Sequence, residues 1–218
     1  MHRRHHIPFL KRFLEAPQQV GSMLPSSRRL AVALTKPFAD RSKPARVLEA
    51  GAGTGPITRR LGELLGPDDQ LDICEVDDQF VDLLRRRILE ADPLAGAYRQ
   101  GRVRLLHCPV QKINAPKRYD FIISGLPLNA FELTDVMTIL DTFQQQLRPG
   151  GTFSYFEYVG ARRLLRLSPR GPSRRRIRAV SHLLETHIAT HQVDRDIVLT
   201  NIPPAHARHW QFDSADAA

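Results

Sequence analysis

From Ala45 onward the apolar positions switch repeatedly between two spacings. Short runs dense in apolar residues fall at 46–50, 71–76, 103–107, 121–124 and 152–158. Between them, apolar residues recur every three to four positions near 57–65, 79–90 and 134–147. The first pattern predicts strands and the second predicts helices. The Pro149-Gly150-Gly151 run is expected to break the third helix before the fifth strand. Strands alternating with helices of this length imply βαβ units, and hence a doubly wound, mostly parallel α/β sheet of the Rossmann-like kind. A further helix over about 174–191 and two hairpin-like strand candidates, 193–200 and 205–212, would bring the sheet to seven strands.

The N-terminal stretch follows a different pattern. A basic start (His2, Arg3, Arg4, His5, His6) leads into Phe9, Leu10, Phe13 and Leu14, with Lys11, Arg12 and Glu15 between them. That spacing predicts a short amphipathic helix ended by Pro17, suited to an interface between water and lipid or to packing on the domain. A second helix is expected to start at Ser26 or Ser27, either a good N-cap, and to run to about Phe38. The organisation read from these patterns is an N-terminal helical extension over 1–40, one α/β domain over 41–212 and a tail over 213–218.

Composition narrows the class. With 218 residues, 42% hydrophobic and 7% aromatic, the chain suits one soluble domain with a sizeable core. No apolar run reaches the roughly 18–20 residues that span a bilayer, and no secretory signal pattern follows the basic start. The two cysteines, Cys74 and Cys108, are too few for a disulfide scaffold and lack metal-ligand spacing, so a cytoplasmic, reducing compartment is expected. No metal site is expected either: the His2, His5, His6 group reads as a basic tail, and His182, His187 and His191 have no carboxylate at zincin spacing. The net charge of +9, carried by 27 Arg and only 5 Lys, points to an anionic partner. Arginine forks suit phosphate oxygens, although a high-GC coding bias would also enrich arginine.

The candidate chemistry centres on Glu49-Ala50-Gly51-Ala52-Gly53-Thr54-Gly55, directly after the first strand. Glycines at alternate positions let backbone turn tightly and approach a ligand, and the following helix aims its N-terminal amides at the same place. A dinucleotide fingerprint would need a further glycine where Pro56 and the residues after it stand, and a P-loop would need Gly-Lys-Ser/Thr. Glu49, just before the glycines, would repel a diphosphate but suits an ammonium group. Glu75, at the end of the second strand, is placed to accept ribose hydroxyls. A ligand with a ribose and an amino acid but no diphosphate fits, and S-adenosylmethionine is such a ligand.

These residues resemble motif I of the seven-stranded class I methyltransferases, with Glu75–Asp78 as the acidic loop after strand two. The resemblance covers roughly residues 45–160. It implies that Glu49, Gly51, Gly53 and Gly55 line the methionine end of S-adenosylmethionine, that Glu75 and Val76 hold the ribose, and that Ser124 borders the pocket. Where relatives place an adenine-binding Asp, this chain has His107-Cys108-Pro109-Val110, so backbone near Cys108 and Val110 would read the ring.

Strand four runs into Ser124-Gly125-Leu126-Pro127-Leu128-Asn129, at the position of the Asn-Pro-Pro-Tyr motifs of nucleic-acid amino-methyltransferases. Gly125 stands where those motifs carry the polar residue and Leu128 where they carry the aromatic, which argues against a nucleobase acceptor. Val20–Ala31, the Ser124–Leu128 run, a fifth strand ending in Tyr158, and Asn201–Ala205 (NIPPA) together resemble the bacterial phospholipid N-methyltransferases, which convert phosphatidylethanolamine to phosphatidylcholine. That resemblance spans nearly the whole chain. It implies that Ser26 and Ser27 cap a helix over the cofactor pocket and that Tyr158 faces the headgroup, although Glu157 departs from the family pattern. Tyr158, Tyr155 and the backbone at Gly125 and Leu126 are the groups expected to orient the amine or take its proton. Phe9, Lys11, Arg12 and Phe13 are expected to contact an anionic membrane, peripherally and on its inner face. Eight arginines and no acidic residue lie between Glu157 and Glu185. They fit a lipid surface, a solvated helix face or RNA, the last keeping an rRNA adenine dimethyltransferase-like reading open.

Overall fold

The structure is a computed structural model that describes residues 27–91, 93–159 and 172–212, with the side chains of 172–174 also left out. The expected stripe at Phe9, Lys11, Arg12 and Phe13, together with Ser26 and Arg162 to Arg170 of the arginine run, lies outside the described residues.

Seven strands form one sheet: β1 (Arg46–Ala50), β2 (Gln70–Glu75), β3 (Val103–His107), β4 (Tyr119–Ser124), β5 (Leu147–Tyr158), β6 (Gln192–Val198) and β7 (Ala205–Gln211). Their order is β3-β2-β1-β4-β5-β7-β6, with β1 to β5 parallel and β7 antiparallel to both of its neighbours. The chain therefore reverses direction across the sheet between β1 and β4, which opens a crevice at their carboxyl ends.

Helices cover both faces. On one lie α1 (Arg28–Leu34), α2 (Lys36–Ala39), α3 (Pro56–Leu64), α4 (Asp78–Leu84) and α5 (Ala95–Arg99), packed around Leu30, Leu34, Phe38, Ile57, Leu61 and Leu84. On the other lie α6 (Leu133–Gln146) and α7 (Pro172–His191), packed around Ile139, Phe143, Phe153, Tyr155, Leu184 and Trp210. Alternation along the strands divides the two cores: Val47 points to the first and Leu48 to the second.

Three elements differ from the periodicity. The helix expected to run unbroken to Phe38 divides at Thr35, because Pro37 has no N–H to continue the ladder and instead sits in the first turn of α2. The 79–90 helix opens into a wider π turn at Arg85–Leu89, while Asp77 caps its start by accepting the Gln79 and Phe80 N–H groups. The Pro149-Gly150-Gly151 run lies inside β5 and shifts the register against β4 between Tyr119 and Phe121. Leu30, Ala31, Leu34 and Phe38 are fully buried, so α1 and α2 belong to the core.

Candidate functional site

The glycine loop joins β1 to α3 at the carboxyl edge of the sheet. Its glycines all have positive φ, at 74°, 54° and 83° for Gly51, Gly53 and Gly55. They are not equivalent. A Cβ on Gly51 would collide with the Leu126 side chain and one on Gly55 with Ile88, whereas one on Gly53 would meet nothing within 4 Å. Two of the three are therefore required by the protein's own packing. Gly53 alone presents bare backbone to open space.

Glu75 braces that open segment. Its Oε2 accepts the Gly53 N–H at 2.7 Å, and its Oε1 accepts the Val76 and Asp77 N–H groups at 2.7 and 3.0 Å. Glu49 lies fully buried one strand away, where Thr58 Oγ1 on α3 stands 3.0 and 2.8 Å from its two oxygens. Burial pushes the Glu49 carboxyl up to about 8, the Thr58 hydrogen bond opposing and the nearby Glu75 charge adding to the rise. Thr58 was not singled out in the sequence; its place one helical turn beyond the glycines was the available signal.

At the end of β3, the Cys108 carbonyl accepts from the Cys74 thiol at 2.8 Å, and burial pushes that thiol up. Val110 opens a short 3-10 turn (Val110–Lys112) and is buried in the second core.

The end of β4 is built from backbone. The Gly125 N–H donates to the Ala50 carbonyl at 2.9 Å, and a Cβ on Gly125 would collide with the Gly51 carbonyl oxygen. Glycine is thus obligatory where β4 leaves the sheet beside the glycine loop. Ser124 is buried and its Oγ accepts the Leu126 N–H at 3.1 Å, while Leu126 and Leu128 turn their side chains inward.

Strand parity separates the residues expected at the end of β5. Tyr158 is half-buried on the α1 face, its ring 5.3 Å from that of Phe156, and burial pushes its phenol up. Tyr155, three positions earlier, points to the opposite face. It is fully buried, stacked on Phe153 at 5.5 Å and edge-on to Trp210 at 4.7 Å. The substrate contact expected of Tyr155 is therefore corrected: an odd offset along a strand cannot place both rings at one site. Glu157 is likewise committed elsewhere, with Arg208 Nε 3.3 Å from its Oε2 in a buried ion pair.

Ser27 caps α1, its Oγ accepting the Leu30 N–H at 3.2 Å. Its own N–H donates to Asn201 Oδ1 at 3.1 Å. The Ser-Ser-Arg-Arg and NIPPA strings, 174 residues apart, are therefore in direct contact. In the arginine run, Arg176 bonds Glu132 at 3.1 Å, while Arg175 and Arg178 are exposed. Among the described residues one group has ligand atoms close enough for a metal, Asp194, Asp196 and His209. Lys36 already reaches it, with Nζ 2.9 and 3.4 Å from the two carboxylates.

Comparison with known proteins locates this geometry. Residues 47–151 match the family model described as a methyltransferase domain. The ornithine lipid N-methyltransferase of Singulisphaera acidiphila is 32% identical over 146 residues, covering 67% of this chain and 74% of that protein. The fold also matches the 1,6-didemethyltoxoflavin-N1-methyltransferase of Burkholderia thailandensis solved with S-adenosylhomocysteine (TM-score 0.61, 20% identity, 98% of this chain and 92% of that one). The N-methyltransferase NodS of Bradyrhizobium japonicum, also solved with S-adenosylhomocysteine, gives a TM-score of 0.60 at 16% identity, over 93% of this chain and 95% of that one.

Proposed function

The chain belongs to the class I S-adenosylmethionine-dependent methyltransferases, and from that premise we propose that it methylates the amine of a phospholipid headgroup, phosphatidylethanolamine first. The observation that carries this reading is the wall at Ser124–Leu128. Gly125 has no room for a side chain, and Leu126 and Leu128 bury theirs. A nucleobase would find neither an amide for its amine nor a ring to stack on, the latter alone worth about 1–3 kcal/mol. A small aliphatic amine needs neither. Similarity to an ornithine lipid N-methyltransferase supports a lipid acceptor.

The residues present fit the cofactor: Gly53 offers bare backbone to open space, where a side chain would stand in a ligand's way, and Glu75 stands at its side. We assign Gly51, Gly53 and Gly55 to the methionine end, with Glu49 behind them, and Glu75 and Val76 to the ribose. Ser124 fixes the β4 turn, and backbone at Cys108 and Val110 faces the adenine. A carboxylate offers about four acceptor positions; three on Glu75 already hold backbone N–H groups. Holding two ribose hydroxyls would therefore draw Glu75 off the Gly53 N–H. The cofactor supplies an electrophilic methyl group, taken by in-line displacement, so the protein's part is alignment and exclusion of water.

The acceptor amine has an ordinary pKa near that of lysine, and freeing its lone pair at pH 7 costs about 4–5 kcal/mol. Tyr158, raised by burial, stays protonated and serves as a hydrogen-bond partner rather than a base. Glu157 is held by Arg208 on the far face. The Leu126 carbonyl accepts the Leu128 N–H with one of its two lone pairs, and we assign it and the Gly125 carbonyl to orient the amine. The proton then leaves to solvent.

Peripheral attachment to the inner face of the membrane goes with this reading; among the described residues no helix is long and apolar enough to cross one. The test is incubation with radiolabelled S-adenosylmethionine and liposomes containing phosphatidylethanolamine or an ornithine lipid, followed by lipid chromatography. Label in methylated phosphatidylethanolamine is expected. Label only in the ornithine lipid would replace the headgroup, and label only in RNA or protein would end the lipid reading.

A further inference from the structure

The β6–β7 turn, residues 199–204, lies at the catalytic end of the sheet: Ala205 pairs with Tyr158 on one side and with Val198 on the other. Leu199 and Ile202 at this turn are 72% and 71% exposed, and Val159 beside it, whose N–H donates to the Pro204 carbonyl at 2.7 Å, is 38% exposed. Turns are ordinarily built from small polar residues, so two large aliphatic side chains in solvent form an apolar projection that asks for a partner. The projection is held firmly. Asn201 between them is buried, accepts the Ser27 N–H and donates to the Pro203 carbonyl at 2.7 Å. The polar side chain is tucked in and the apolar ones face out.

Exposed cations lie next to the turn, with Glu63 3.6 Å from Arg28 as the nearby acidic partner. Arg28 and Arg29, next to Ser27, are exposed. Residues 1–26, which join the structure there, carry four Lys and Arg against one acidic residue. Residues 160–171, which follow Val159, carry four arginines and no acid.

We infer that the 199–204 turn docks into an anionic phospholipid surface, with Leu199 and Ile202 entering the acyl boundary and Arg28 and Arg29 meeting the phosphates. This rests on the lipid-acceptor reading and supplies its geometry: with the turn inserted, the carboxyl edge of the sheet and Tyr158 face the bilayer. Aliphatic burial holds the turn down, and cation–phosphate attraction sets the orientation.

The full chain is tested by flotation with phosphatidylglycerol/phosphatidylethanolamine vesicles. Leu199→Asp with Ile202→Asp should weaken vesicle binding about tenfold or more, with S-adenosylhomocysteine affinity by calorimetry unchanged. Ile202→Trp is a second probe, independent of whether the double variant folds. The chain's single tryptophan, Trp210, is buried, so a blue shift on vesicle addition and quenching by brominated acyl chains would report the introduced indole. Absence of wild-type binding, undiminished binding by the double variant, or neither shift nor quenching in the Ile202→Trp variant would each overturn the proposal. Chromatography separates its fate from that of the substrate: vesicle binding lost with the turn but no label in lipid keeps the docking surface and ends the acceptor reading.

Discussion

The proposed cofactor edge and the proposed acceptor edge of the sheet lie side by side but are held by different kinds of contact. Around Gly51–Gly55 the decisive interactions join neighbouring elements: Glu49 to Thr58 nine residues on, and Gly53 to Glu75 twenty-two residues on. Around Tyr158 they join distant parts of the chain: Ser27 to Asn201 across 174 residues, and Glu157 to Arg208 across 51. The first edge is one βαβ unit whose chemistry can be read from one contiguous string. The second is assembled from three separate strings, and its residues acquire meaning only when the chain closes. Gly125 is the seam between them, because its backbone lies directly on that of the cofactor loop.

The largest effect expected from perturbing this arrangement is on the acceptor edge. Arg208→Met removes the guanidinium beside the buried Glu157 and should cost about 3–5 kcal/mol of stability in denaturant titration, with the Glu157→Gln/Arg208→Met pair recovering much of it. A loss below about 1 kcal/mol would mean that the ion pair is not what holds β5 to β7. Gly125→Ala tests the seam. Its Cβ meets backbone, which cannot swing aside, so about 1–3 kcal/mol of destabilisation should come with weaker S-adenosylhomocysteine binding. Gly53→Ala meets no atom but strains a positive φ at about 1–2 kcal/mol, so a larger share of its effect than for Gly125→Ala should fall on cofactor affinity. If the two variants showed the same balance of stability and affinity, the seam would not be distinct from the loop.

Glu49 gives the cofactor edge a pH signature. The folded carboxyl holds its proton up to about pH 8, whereas the unfolded one releases it near 4.5. Its contribution to stability is therefore full below about pH 4.5 and is lost as pH rises toward 8, at up to about 1.4 kcal/mol per unit. Glu49→Gln should flatten that slope in thermal melts across the same range; an unchanged slope would place its origin elsewhere. The smallest effect is expected at the α1 cap. Ser27→Ala should cost about 1 kcal/mol, while its backbone N–H can still reach Asn201. Turnover of Tyr158→Phe sharpens the same comparison: a fall with cofactor affinity intact assigns the phenol to the acceptor, and no change removes it.

Much of this was legible in advance. β3 matches its expected span, and the strands on either side of the glycine loop fall within a residue or two of the alternation that predicts them. The fifth strand and the helix before it were harder, because Pro149-Gly150-Gly151 reads as a stop, whereas pairing with β4 on one side and β7 on the other carries the strand through it. The five residues of α5 were too few to show a period. At the candidate site, Gly51, Gly53, Gly55, Glu49 and Glu75 could be chosen from their order, although packing against Leu126 and Ile88 also requires glycine at 51 and 55.

Sequence by itself therefore determined the alternating architecture, the glycine loop and the two acidic positions that flank it, all governed by interactions between near neighbours. Only the tertiary structure decided that Tyr155 and Tyr158 turn to opposite faces, since strand parity has no consequence until a core exists on each face. It alone showed that Glu157 is neutralised by Arg208, that Gly125 is bare because another backbone lies against it, and that Asn201 holds the α1 cap while Leu199 and Ile202 face outward. Each of these depends on contacts between residues far apart in the chain, where no spacing rule links one side chain to the other.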